Sequence, residues 1–352
     1  MIKYKKWIGK INRSKESNFS RFKKITLDKN ERVSDFEKNF FKKIVSKISS
    51  SNFIKYPEVY DLYQALSSLH KISRKCFVIT AGIDAAIKNC FELFVSRGNK
   101  VIVLNPTFAM VDIYCKIYGA KKIKINYDKK LNINTDLLIK SINKNISLII
   151  IANPNSPTGT IISKRDIENI IKRAKKFNTP ILVDEAYYGF TNQTVFPLLK
   201  KYNNLIISRT FSKAYGLAGL RVGYLISNKQ ISKLFFNLKP MYEINSIGVL
   251  ACLQILKNSF IRNKYISDTN KGLKLIIKYF NENNIPFIKT NANFIYMHSG
   301  KKTNKIFSIL KRQGILTKKG MSVKGFKNYL RITLAPPKQI KLIISKLKKI
   351  KI

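Results

Sequence analysis

The chain has 352 residues, enough for a large core and for two lobes that share a cleft, and its hydrophobic share of 45% argues against wholesale disorder. Lysine and arginine number 67 against 19 acidic residues, a net charge of +48 that alone would suggest nucleic acid or an anionic membrane as partner. The lysines are spread over the whole chain rather than gathered in an arm or stripe. Lys, Ile and Asn are all plentiful, as AT-rich codons would produce, so the charge reads as diffuse background and not as a binding surface.

The first residues, MIKYKKWIGK, are basic but lack the apolar centre of a signal peptide, and no apolar run approaches the ~20 residues that span a bilayer. Cys76, Cys90, Cys115 and Cys252 stand far apart, with no C-x-x-C pair and no histidine cluster, which predicts free thiols in a reducing compartment and no metal site. The expectation is a cytoplasmic protein without a membrane partner.

From about residue 77 short apolar runs alternate with helical patterns. CFVIT (76–80), VIVL (101–104), LIII (148–151), ILVD (181–184) and LIIS (205–208) are near-continuous apolar runs, the pattern of strands buried on both faces. Between them SKRDIENIIKRAKKFN is the clearest helix. Ser163 can cap it, Ile167, Ile170, Ile171, Ala174 and Phe177 share one face, and Asn178 with Pro180 stops it. Repeated β-α-β order predicts an α/β fold, a mainly parallel sheet sandwiched by helices. Helical patterns around Leu250 and Leu273, strands ANFIYM (292–297) and YLRITL (329–334), and a helix after Pro336 and Pro337 predict a second, smaller α+β lobe.

Ligands of open parallel sheets bind beyond the carboxyl ends of the strands. Five such ends carry unusual loops here: Ala81-Gly82 leading into a helix near Ile83, then NPTF, ANPNSPTG, DEAYYGF and SRTFSKAYGLAGLRVG. Asp184 ends an apolar run, and a buried carboxylate needs a positive partner. By itself it reads as a structural salt bridge or a cap, as a lone Lys213 reads as surface charge. Their joint setting changes this. Thr210 and Ser212 flank Lys213, Arg221 follows, and hydroxyls, a guanidinium and the free N–H groups of a helix start suit a bound phosphate.

The set LDKNER (27–32), KYPEVYDLYQAL (55–66), TAGIDAAI (80–87), NPTFAM (105–110), NPNSPTG (153–159), DEAY (184–187), TFSKAYGLAGLRVG (210–223) and YLRIT (329–333) resembles the fold-type I pyridoxal-5'-phosphate (PLP) enzymes of the class I/II aminotransferase superfamily, most closely the histidinol-phosphate aminotransferase-like ones. The resemblance runs through nearly the whole chain with every motif in order. It implies a seven-stranded sheet and a division into an N-terminal arm (1–44), a large PLP-binding domain (45–245) and a small domain (246–352). It implies that Lys213 forms the Schiff base with the cofactor, that Asp184 pairs with the pyridine nitrogen, and that Tyr187 bonds the ring's phenolate oxygen. Gly82, Ile83, Asp84, Thr210, Ser212 and Arg221 would hold the phosphate, and Phe108 would stack on the ring. Arg331 would fork the substrate carboxylate, and Asn30 lies in the segment that covers the substrate. Tyr56 would reach the phosphate from a neighbouring subunit, implying a homodimer with shared sites.

Three departures bear on the expectation. The position before P-T-G is Ser156, not Asn, so the phenolate contact is assigned to Asn155 one residue earlier. NER replaces N-E-N-P. LTKKG puts Lys318 where a second arginine is usual, and a lysine attracts a phosphate without forking it. The expected activity is transfer of an amino group from an amino acid such as glutamate to a small keto acceptor, phosphorylated or not. The alternatives are decarboxylation of a phosphorylated amino acid and, in another class, nucleic-acid binding, which lacks any supporting motif.

Overall fold

Alternation along the apolar runs sorts their side chains into two cores, one on each face of a single sheet. In the computed structural model, which describes residues 2, 5, 7–11, 20–321, 323 and 326–350, the strands are β1 (Phe77–Thr80), β2 (Lys100–Asn105), β3 (Lys121–Asn126), β4 (Ile146–Ala152), β5 (Ile181–Asp184), β6 (Leu205–Thr210) and β7 (Gly223–Ile226). Their order is β1-β7-β6-β5-β4-β2-β3, and only β7 runs against its neighbours. Ile149, Ile151, Ile181, Val183, Leu205 and Ile207 join one core, whereas Leu148, Ile150, Leu182 and Ile206 join the other. Each fully buried side chain of this kind contributes roughly 1.5–3 kcal/mol.

Helix α1 (Gly82–Phe94) covers the Leu182 and Ile206 face with Ile83, Ala86, Ile87, Cys90 and Phe91. Helix α2 (Lys164–Lys175) covers the opposite face with Ile167, Ile170, Ile171 and Ala174. Its predicted cap is present, because Ser163 Oγ accepts the Asp166 N–H. All four cysteines are free.

A four-stranded antiparallel sheet forms a separate layer: β10 (Lys318–Lys319), β11 (Tyr329–Thr333), β9 (Phe294–His298) and β8 (Phe287–Lys289), in that order. Helix α3 (Ser259–Glu282) and helix α4 (Pro337–Ile350) pack on it, with Ile276, Phe280, Ile295, Ile332, Ile340 and Leu347 in one core. Leu27 joins that core, and Ile25–Thr26 pairs in parallel with Ile315–Leu316, so the N-terminal segment is stitched to this layer. Residues 12–19 of the expected N-terminal arm lie outside the described residues. No helix among the described residues is long and apolar enough to cross a membrane.

Candidate active site

Because β7 alone is reversed, the carboxyl ends of the other six strands and the start of β7 meet at one edge. A cavity of about 790 Å³ opens there, bounded by that edge, by residues 28–31 and by β10 and β11. A second cavity, about 690 Å³, lies between Tyr188–Thr194 and α3. It is lined by no predicted site residue and no carboxylate.

Asp184 is the last residue of β5 and is 4% exposed. Loss of water on burial pushes its carboxyl up to about 7, against the opposing bonds from Ser208 and the Ala186 N–H. Ser208 Oγ donates to Asp184 Oδ1 at 3.0 Å. Lys213 follows β6 and lines the same cavity, and its Nζ donates to the Lys29 carbonyl at 2.8 Å. Burial first, then the nearby Arg331 and Arg221 cations, push its ammonium down to about 8. A carboxyl held high and an amine held low in one cleft mark a site of proton chemistry.

Tyr187 is buried, and its hydroxyl accepts from Asn30 Nδ2 at 2.9 Å. Burial raises its phenol, with Arg331 and the bonds from Asn30 and Ser156 opposing. Asn30 holds a left-handed backbone (φ 56°), its N–H donating to Thr333 Oγ1 and its carbonyl accepting from Asn293 Nδ2.

Helix α1 begins at Gly82, whose left-handed backbone (φ 75°) favours glycine and whose Cα faces the Arg221 guanidinium. Ile83, Asp84, Thr210, Ser212 and Arg221 all line the cavity. The Ser212 N–H donates to Thr210 Oγ1, and Arg221 Nη2 lies 3.4 Å from Asp84 Oδ2. Phe108 lines the same cavity.

Arg331 on β11 is 9% exposed, donates through Nη2 to the Asp28 carbonyl, and has no bonded partner at Nε. Lys318 on β10 is its register partner, so two cations stand side by side on the small sheet.

Besides Gly82, which lies against Arg221, two predicted residues do not line the cavity. Asn155 is fully buried beneath the cavity, its Nδ2 donating to the Pro106 carbonyl and Thr158 and its Oδ1 accepting from Thr107. Ser156 lines the cavity in its place, because the chain turns at this residue and carries the Asn155 amide inward to the neighbouring 105–108 loop and the Thr158 hydroxyl. Tyr56 is outside the cavity of its own chain, 73% exposed and stacked on Tyr242 with ring centroids 4.0 Å apart. Sequence reasoning missed Ser208 and Tyr296. Tyr296 lines the cavity and donates to the Pro157 carbonyl at 2.7 Å.

Behind the site, on the opposite face of the sheet, Arg209 and Glu185 form a fully buried pair at 2.8 Å. Glu185 also accepts from the Val195 N–H and Thr194, and the guanidinium lies 3.5 Å from the centroid of Tyr188. The pair clamps β5 to β6 one residue beyond Asp184.

A family model described as aminotransferase class I and II matches residues 23–347. The chain belongs to that family. It is 31% identical over 330 residues to the histidinol-phosphate aminotransferase of Caldanaerobacter subterraneus subsp. tengcongensis, covering 93% of each. It is 32% identical over 323 residues to that of Clostridium novyi, covering 90% of this chain and 88% of the other. Among solved structures, histidinol-phosphate aminotransferase from Sinorhizobium meliloti in complex with pyridoxal-5'-phosphate matches with a TM-score of 0.82 at 22% identity, over 93% of this chain and 90% of that one. L-threonine-O-3-phosphate decarboxylase from Porphyromonas gingivalis matches at 0.72 and 23%, over 90% and 98%, a likeness of fold.

This aminotransferase is PLP-dependent, and transamination stands ahead of both decarboxylation and nucleic-acid binding. The cavity's donors suit that cofactor: a helix start, hydroxyls and a guanidinium at one end, a buried carboxylate and a deprotonation-prone amine at the other.

Proposed function

We propose that this aminotransferase works with Lys213, Asp184 and Tyr187 as its reacting group and ring contacts, on an amino-acid donor and a small phosphorylated keto acceptor. The observation that carries the assignment is the placing of Asp184 and Lys213, from neighbouring strands, in one cavity with opposite protonation bias. PLP, when bound, supplies a sink for the electrons of a bond at the substrate α-carbon. Lys213 would hold the cofactor through its aldehyde, for which the unprotonated amine that its surroundings favour is needed, and the same amine would serve to move a proton at the substrate α-carbon. Asp184 would face the pyridine nitrogen and favour its protonated form. Tyr187, oriented by Asn30, donates to the phenolate oxygen, and Ser156 lies on the same side.

Ile83, Asp84, Thr210, Ser212 and Arg221, on the helix start that Gly82 opens, would form the phosphate end, and Phe108 would stack on the ring. Arg331 receives the donor carboxylate by exchanging the Asp28 carbonyl for it, and Nε then gains a partner. Lys318, beside it, attracts the acceptor's phosphate, in keeping with relatives named histidinol-phosphate aminotransferases. A homodimer in the cytoplasm completes the reading, with Tyr56 crossing to the partner's phosphate end. The exposed Phe53, Ile54, Tyr56 and Met241 are the surface such an assembly would cover. The large domain would run over 45–245 and the small one over 246–352, with the arm 1–44 docked on the latter.

The test is a panel of amino acids and phosphorylated keto acids given to the holoenzyme, scored for 2-oxo acid against carbon dioxide. Glutamate with a phosphorylated acceptor should give 2-oxoglutarate. Turnover retained in Lys213→Ala, or carbon dioxide as the product, sinks the proposal.

A further inference from the structure

We propose that Ser208 is a positioning residue for this reaction: its buried hydroxyl fixes the Asp184 carboxylate and keeps it charged against the ring nitrogen of the cofactor. The inference rests on the reading of Asp184 given above.

Strands β5 and β6 run parallel with Asp184 opposite Ser208 in the register. Side chains of alternate residues share a face, so Asp184 follows Leu182, and Ser208 follows Ile206, onto the side covered by α1. Every other β6 position in that apolar run is Leu or Ile, and a hydroxyl here is fully buried among them. A buried hydroxyl without a partner is costly, and this one donates across the strands to Asp184 Oδ1 at 3.0 Å.

The backbones on both sides are locked. The Asn153 N–H donates to the Asp184 carbonyl at 2.8 Å, and the Glu185 N–H donates to the Ser208 carbonyl at 2.9 Å. One residue on, the Glu185–Arg209 pair closes the same two strands from the opposite face. The Asp184 main chain therefore has no freedom to follow its side chain, and rotation about the side-chain bonds is what Ser208 restrains. It also opposes the loss of water that drives the carboxyl toward its neutral form.

The titratable and charged groups around Asp184 are Glu185 and Tyr187 on its own segment, Asp84 from α1, and Lys213 beyond β6. Glu185 and Asp84 both disfavour the charge on Asp184, so Ser208 and the Ala186 N–H carry its retention in the free protein.

The test uses the full chain, stripped of cofactor and titrated with PLP across pH, following the cofactor's absorbance. In the free protein Asp184 sets the acid limb of PLP affinity. Ser208→Ala should move the midpoint of that limb upward by about one pH unit, as loss of a bond to a charged group implies. Ser208→Thr, which keeps the hydroxyl, should restore most of it, and in an Asp184→Asn background Ser208→Ala should move nothing. Should Ser208→Ala not fold, Ser208→Cys, a much weaker donor of similar size, serves the same comparison. A midpoint unmoved by loss of the hydroxyl, or a shift that persists in Asp184→Asn, overturns the role of Ser208. If Asp184→Asn itself leaves the profile unchanged, the reading of Asp184 fails, and this inference with it.

Discussion

Replacing Lys213 by methionine should stabilise the cofactor-free protein at neutral pH. The amine's pKa falls from 10.5 to about 8 on folding, chiefly through burial, and at about 1.36 kcal/mol per pH unit its charge costs the fold about 3 kcal/mol. Methionine fills similar space without the charge, at the loss of one bond to the Lys29 carbonyl, worth about 1 kcal/mol. The net expectation is a gain of about 2 kcal/mol at pH 7. Between pH 8 and 10.5 the unfolded wild type binds more protons at this residue than the folded one, so wild-type stability rises through that window while the variant's does not. The advantage of Lys213→Met must therefore shrink as pH rises. Urea denaturation of both cofactor-free proteins from about pH 7 to about pH 10 measures it, because the other lysines cancel in the difference. A difference that stays constant with pH, or a variant less stable at pH 7, refutes the reasoning.

Arg209→Met leaves the Glu185 carboxylate buried without its cation, and about 3–5 kcal/mol should be lost in urea denaturation. Gly223→Ala sets a Cβ 2.9 Å from the Gly82 carbonyl carbon and 3.0 Å from the Arg209 oxygen, both backbone atoms with little freedom to retreat. A loss of about 1–3 kcal/mol is expected, together with weaker PLP binding in a fluorescence titration, because Gly82 is displaced. Lys318→Ala should raise KM for a phosphorylated acceptor about tenfold, the equivalent of about 1.4 kcal/mol, with kcat and the KM for the amino-acid donor little changed in steady-state assays.

The strands buried on both faces were legible because they are nearly continuously apolar: one coincides with its predicted run, one starts a residue later, and three extend theirs by one or two residues at an end. Strand β3 was not, since KKIKIN alternates lysine with isoleucine as an edge strand half in water does. Strand β7 was lost inside the motif that precedes it, four residues with no room for a periodic signal. Most cavity residues followed from the rule that strand ends make the site. Asn155 and Ser156 did not, because which of two adjacent loop residues faces inward depends on the turn itself. Ser208 was read as the end of an apolar run, and only the register with Asp184 shows what its hydroxyl meets.

The stitching of residues 25–30 to 315–333 has a bearing on synthesis. Asn30 reaches Thr333 and Asn293, and the Asp28 carbonyl reaches Arg331, so the cavity's roof is made from the first and last parts of the chain. A growing polypeptide on the ribosome can finish the seven-stranded sheet while its roof still lacks one half. Tight capture of the vitamin is thereby deferred until β11 has emerged, and a chain truncated before it should purify colourless.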